Sequence, residues 1–281
     1  MKFGINTFLF TSPFTTESIS LFPKFKQWGF DSVEIALEDL SHIDAGIVKK
    51  ALDDNGLVCG SLCVAMGPGR DLRGTEEEQQ EAISYITSLL GVMNELGCPI
   101  LVGPLYSSVG RADAVDPDAY RKQWNTVVAH FKVLAKYATQ LNLKLAIEPL
   151  NRYETDFINT CEQALQMVND VGSDALMIHL DSYHMNIEEK DSAKAILLAG
   201  EKLGHFHACG SDRGTPGGDH TDWKSIVSAL RKIGYDREIV IESFTTDVKV
   251  IAKAASIWRK FELSQESIAT DGLQFLHSVL K

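Results

Sequence analysis

Four apolar runs of this chain each stop at a side chain able to grip a cation or move a proton. Glu148 follows LKLAI, Asp181 follows LMIHL, His207 follows GHF and Glu242 follows IVI. A carboxylate at the end of a core strand does little for folding and is well placed for chemistry. Pro149 has no N–H to continue a central ladder, so the chain leaves the sheet just after Glu148. Three carboxylates and one imidazole make a hard, oxygen-rich donor set that suits Mn2+, Mg2+ or Co2+ better than a thiolate-seeking ion. Glu154 adds another acid in the loop that follows.

Positioning four such residues together requires a particular scaffold, and the chain alternates strand and helix throughout. Strands are expected at Lys2–Asn6, Ser32–Ala36, Leu57–Val64, Cys98–Gly103, Leu143–Glu148, Leu176–Asp181, Gly204–His207 and Glu238–Glu242. Helices are expected at Thr16–Trp28, Asp44–Asn55, Glu76–Leu96, Pro117–Leu141, Thr160–Asn169, Glu188–Ala199, Trp223–Ile233 and Asp247–Phe261, with an extra one at Glu266–Leu280. Eight strands, each followed by a helix, predict an α/β fold: a single (β/α)8 barrel spanning residues 1–281 with an additional C-terminal helix. A doubly wound open sheet would want a glycine-rich turn after an early strand, and NTFLFTSP has no glycine. Barrel sites lie at the carboxyl ends of the strands, where Glu148, Asp181, His207 and Glu242 from strands five to eight become neighbours.

Composition narrows the function. At 44% hydrophobic and 23% charged the chain has the make-up of a globular protein, and no apolar run is long enough for a membrane span. A net charge of −11 without a Lys/Arg cluster argues against nucleic acid as a partner. The N-terminal MKFGINTFLF lacks a signal peptide's pattern, and five cysteines without a CxxC pair suit free thiols. Both point to a cytoplasmic protein.

The segments IEPLNRYE (Ile147–Glu154), LDSYHMNIEE (Leu180–Glu189), GHFHACGSDRGTPG (Gly204–Gly217) and IESF (Ile241–Phe244) resemble the ketose 3-epimerases, the D-tagatose, D-psicose and L-ribulose 3-epimerase group of the xylose-isomerase-like barrels. The resemblance implies one divalent metal, manganese foremost with cobalt or magnesium as alternatives, held by Glu148, Asp181, His207 and Glu242. It implies that Glu154, His184 and Arg213 hold a ketose near O1 to O3. Asn6, Phe8, Cys63 and Leu105 would line the far end of the sugar. It further implies a homodimer or homotetramer. Gly210 departs from the family, which often carries Glu there.

Epimerising C3 means removing a proton beside the C2 carbonyl and returning one on the opposite face. That needs two bases, for which Glu148 and Glu242 are the candidates. Arg213 keeps its charge and can offset an oxyanion. His184, expected in the loop after strand six, can donate to O2, and Glu154 can orient His184 or Arg213. His205 is read as structural, on the face opposite His207, and His179 as a polar residue facing the barrel core. His220 stays ambiguous, and Phe22, Phe25 and Trp28 are helix-core packing. Gly214–Gly218 without a nearby lysine reads as a flexible rim, which favours an unphosphorylated sugar. The rivals are an aldose–ketose isomerase or inosose dehydratase, a nuclease of the endonuclease IV type and a non-catalytic sugar-binding barrel. The nuclease would want extra histidines in the early loops, which LCVAMGPGR and VGPLYSSVGR lack.

Overall fold

The computed structural model describes residues 1–64 and 66–280. Its eight strands are β1 (Lys2–Asn6), β2 (Ser32–Ala36), β3 (Val58–Cys63), β4 (Ile100–Gly103), β5 (Lys144–Ile147), β6 (Leu176–Asp181), β7 (Leu203–Ala208) and β8 (Glu238–Ile241). All pair in parallel, in sequence order, and β8 closes on β1 from Lys2↔Glu238 to Ile5↔Ile241. The expected (β/α)8 barrel is the fold. Around it lie α1 (Phe22–Trp28), α2 (Ala45–Asp54), α3 (Glu76–Leu96), α4 (Pro117–Gln140), α5 (Cys161–Val171), α6 (Ser182–Glu188), α7 (Ser192–Ala199), α8 (Trp223–Lys232), α9 (Lys249–Ala254) and the extra C-terminal α10 (Gln265–Leu280).

The long helices start and stop for local reasons. Thr75 and Glu78 form a reciprocal capping box at α3, and Gly97 ends that helix in the left-handed conformation. Asp116 caps α4 ahead of Pro117, whose missing N–H costs nothing in a first turn. Apolar faces of these helices pack on the outward strand residues. The main core accordingly contains Ile86, Leu89 and Phe131 beside Leu145, Ile147 and Ile178.

Three helical expectations need correction. Thr16–Trp28 is divided, with a 3-10 turn over Thr16–Leu21 before α1. The helix expected at Glu188–Ala199 starts later, as α7 with Asp191 for its cap. An unexpected helix, α6, precedes it, leaving β6 directly because the Asp181 side chain accepts from Tyr183 N. Asp247–Phe261 keeps helical form only over Lys249–Ala254, and Ser256 then turns the chain with a φ of 56°. The short α9 nonetheless matters. Val248, Ile251, Ala252 and Ile257 pack with Phe8, Cys63 and Phe244 over the barrel mouth.

At the opposite end of the barrel, Glu238 lies across Gly60, where any Cβ would collide with its carboxylate. Burial pushes its carboxyl up from 4.5 to about 7. A folded-state value above the unfolded one means that the native protein holds more protons between pH 4.5 and 7. Stability should therefore fall as pH rises through that window, by at most about 3 kcal/mol. In melts of Glu238→Gln against the parent across pH 4.5 to 8, the variant should show the flatter curve. Superimposable curves would show that the acid titrates normally.

Candidate metal and sugar site

Side chains two residues apart on a strand share a face, and this places a polar column inside one half of the barrel. Asp181 stands above His179, His207 above His205, and Glu148 and Glu242 directly follow β5 and β8. All six are buried. His205 is therefore on the same face as His207, not the opposite one. Strand periodicity puts residues i and i+2 together, and the two rings lie 5.0 Å apart inside the barrel. His179 faces the core as expected, 4.1 Å from the ring of His207.

Glu148, Asp181, His207 and Glu242 each bring one donor atom within 4.8 Å of the others. His207 Nδ1 lies 3.2 Å from Glu242 Oε2 and 3.6 Å from Asp181 Oδ2. Neither it nor Glu148 Oε1 has a hydrogen-bond partner. Buried polar atoms are rarely left so, and three carboxylates in a desolvated space repel one another. A divalent cation relieves both problems, so these residues fit one.

The ionisation of the group follows from its neighbours. Burial, and then the nearby Glu242, push the Glu148 carboxyl well above its usual range. Burial acts on Asp181 in the same sense and is the largest single influence, but Arg213, His207 and His184 together outweigh it and hold the acid well below its usual range. His207 is pushed down by burial, yet Glu34 and Glu242 lift it well above an ordinary imidazole.

Arg213 is the cation of the site. Its Nη1 donates to Asp181 Oδ2 at 2.6 Å and to Glu242 Oε2 at 3.0 Å. Its guanidinium lies between the rings of Tyr183 and Phe244, 4.3 and 4.8 Å from their centroids. The residue adopts φ 68°, uncommon for a non-glycine. Hydrogen bonds from Arg213 N to Gly210 O and from Phe244 N to Arg213 O hold it there. The following loop is pinned rather than a flexible rim: Gly214 O accepts from Gly210 N and Ser243 Oγ, and Gly217 abuts Phe275 so closely that a Cβ has no room.

His184 sits in α6 rather than in a loop, delivered to the site by the cap at Asp181. Its Nδ1 accepts from the backbone N–H of Asn151 at 3.0 Å, which leaves the ring proton for Nε2. That nitrogen lies 3.7 Å from Glu148 Oε1 and 2.9 Å from Arg213 Nη2, donor facing donor. Glu154, half-buried, reaches His184 through Asn151, whose Nδ2 donates to Glu154 Oε1 at 2.7 Å. Phe8 and Cys63 belong to the apolar cluster at the mouth, whereas Leu105 packs in the main core. Asn6 Nδ2 donates to Glu34 and to Glu242. His220 bridges Ser211 and Asn186 on the surface.

Two residues of this network escaped sequence reasoning, Glu34 and Asn151. A lone acid within SVEIA and an asparagine within PLNRYE carry no spacing that distinguishes them. Their burial among the site residues is what singles them out.

The profile of the xylose isomerase-like TIM barrel family matches residues 22–278, and the chain belongs to that family. A Synechocystis sp. protein named "Probable ketose 3-epimerase" is 35% identical over 98% of this chain and 96% of its own. A ketose 3-epimerase of Arthrobacter globiformis is 31% identical over 100% and 97%. The solved structure of a Methylomonas sp. D-allulose 3-epimerase in complex with D-allulose superposes with a TM-score of 0.93 at 28% identity, covering 99% of this chain and 97% of that one. Within the family the chain falls among the ketose 3-epimerases and is a carbohydrate epimerase. Among the described residues no helix is long and apolar enough to cross a membrane.

Proposed function

We propose that this protein is a metal-dependent ketose 3-epimerase acting on free ketoses, of the D-fructose/D-psicose, D-tagatose/D-sorbose or L-ribulose/L-xylulose kind. The observation that carries the reading is the convergence of Glu148, Asp181, His207 and Glu242 beside His184 and Arg213. A divalent cation held by the four, manganese in preference to cobalt or magnesium, would supply Lewis-acid stabilisation of negative charge on O2 and O3 of an enediolate.

The protein's own groups divide the remaining work. Glu148 and Glu242 come from β5 and β8, so a ketose between them presents one face of C3 to each. One carboxylate withdraws the C3 proton and the other returns a proton from the far side, and the roles exchange in reverse. The facing donors of His184 and Arg213 suit a single acceptor oxygen that takes a hydrogen bond from both. The fixed charge of Arg213 and the N–H groups of both then stabilise the oxygen as it gains charge. Glu154, acting through Asn151, keeps His184 turned towards the site and can accept from O1. Phe8, Cys63, Phe244 and the residues of α9 exclude water from the reacting carbon. Five buried free thiols suit a reducing compartment, and the reading extends to a cytoplasmic homodimer or homotetramer.

The test is a panel of free ketopentoses and ketohexoses, offered to chelated protein and to the same protein with Mn2+, Co2+ or Mg2+ restored. The C3 epimer should form only in the restored samples. Aldose or dehydrated product would instead favour an isomerase or dehydratase, and no product with any sugar a binding barrel.

A further inference from the structure

Glu34, on β2, is a fully buried acid at the centre of the barrel, below the candidate ligands. We propose that Glu34 is a positioning residue that fixes the ring state of His207 and the aim of Glu242, and so sets the affinity of the metal site. The inference rests on the metal-site reading above and adds a residue that holds its ligands.

The geometry leaves little freedom. Glu34 Oε1 lies 2.7 Å from His207 Nε2 and accepts from Asn6 Nδ2 at 2.6 Å. Oε2 accepts from Ser61 Oγ at 2.5 Å and lies 2.8 Å from His205 Nε2. An ionised carboxylate only accepts, so His207 Nε2 keeps a proton for Glu34, and Nδ1, between Asp181 and Glu242, is the nitrogen whose lone pair a bound cation would take. A carboxylate behind a ligating histidine sets both its tautomer and its basicity.

The second arm runs through Asn6. Its Oδ1 accepts from Phe8 N at 2.8 Å, which identifies Nδ2 as the donor end. That one amine reaches both Glu34 Oε1 and, at 3.1 Å, Glu242 Oε1. The amide therefore ties the proposed base to the buried acid. With one oxygen of Glu242 held this way, Oε2 is directed towards His207 Nδ1 and Arg213. Glu34 touches neither the sugar nor the metal in this scheme and acts through His207 and Asn6.

The test is a calorimetric titration of Mn2+ into chelated full-length protein, comparing the parent with Glu34→Gln and Ser61→Ala. Glu34→Gln should weaken Mn2+ binding by roughly 10- to 100-fold, the usual cost of removing such support. Ser61→Ala removes a bond to Oε2 that does not involve His207, and should change affinity less than about threefold on the same reasoning. Parent-like affinity in folded Glu34→Gln, or equal losses in the two variants, would overturn the proposal. If Glu34→Gln does not fold, nitrogen NMR of the Mg2+-loaded parent decides: a proton on His207 Nε2 supports the proposal, and one on Nδ1 ends it. Both readouts are independent of turnover, so a parent that binds Mn2+ without epimerising ketoses would refute the epimerase reading and leave this one standing.

Discussion

Replacing Glu148 or Glu242 by glutamine should each lower ketose turnover by roughly 10²- to 10⁴-fold, the range contributed by a positioned general acid or base. The amide keeps the size of the carboxylate and loses its ability to take a proton. The two-base scheme makes a sharper demand than loss of activity. Each variant retains one base and so should still exchange the C3 proton of one epimer with solvent, without converting that sugar into the other. The two variants should differ in which epimer they exchange. Because both residues are also candidate ligands, the assays belong at saturating metal with bound metal quantified in each sample. Full turnover in either variant would remove that residue from the chemistry.

Chelation should have an effect of similar size. Glu148, Asp181 and Glu242 share a desolvated space with one arginine, and burial and Glu242 push the Glu148 carboxyl well above its usual range. Removing the cation takes away several kcal/mol of charge stabilisation at the developing oxyanion. Turnover should fall by on the order of 10³-fold or more and return with Mn2+, Co2+ or Mg2+. Stability should move in parallel, since a ligand at a thousand times its dissociation constant stabilises by about 4 kcal/mol. A melting temperature several degrees lower in the chelated protein, recovered with metal, is the expected companion result. Unchanged turnover in verified apoprotein would contradict the site.

Much of this was legible in the chain because barrel geometry converts a one-dimensional pattern into a shared location. An apolar run that halts at an acid or histidine marks a strand end, and four such halts on consecutive strands mark one mouth. Glu34 lacked that signature: it lies inside a strand rather than at its end, and only closure of the barrel brings β2 across from β7, where His205 and His207 meet it. His205 was legible from strand alternation itself, which puts it inward with His207. His184 was placed in a loop because the cap that starts α6 is also a candidate ligand, and Asp181 serves both ends with different oxygens. The course of α9 over the mouth depends on apolar contacts with Phe8 and Phe244, partners far away in sequence.

The most direct measurement is the position of solvent label after one turnover of a ketose by the metal-loaded protein in D2O. Two opposed carboxylates that exchange with water require a single deuterium at C3 of the product epimer and none at C1. Product that keeps its original hydrogen at C3, or label appearing at C1, would contradict proton transfer between two faces of that carbon.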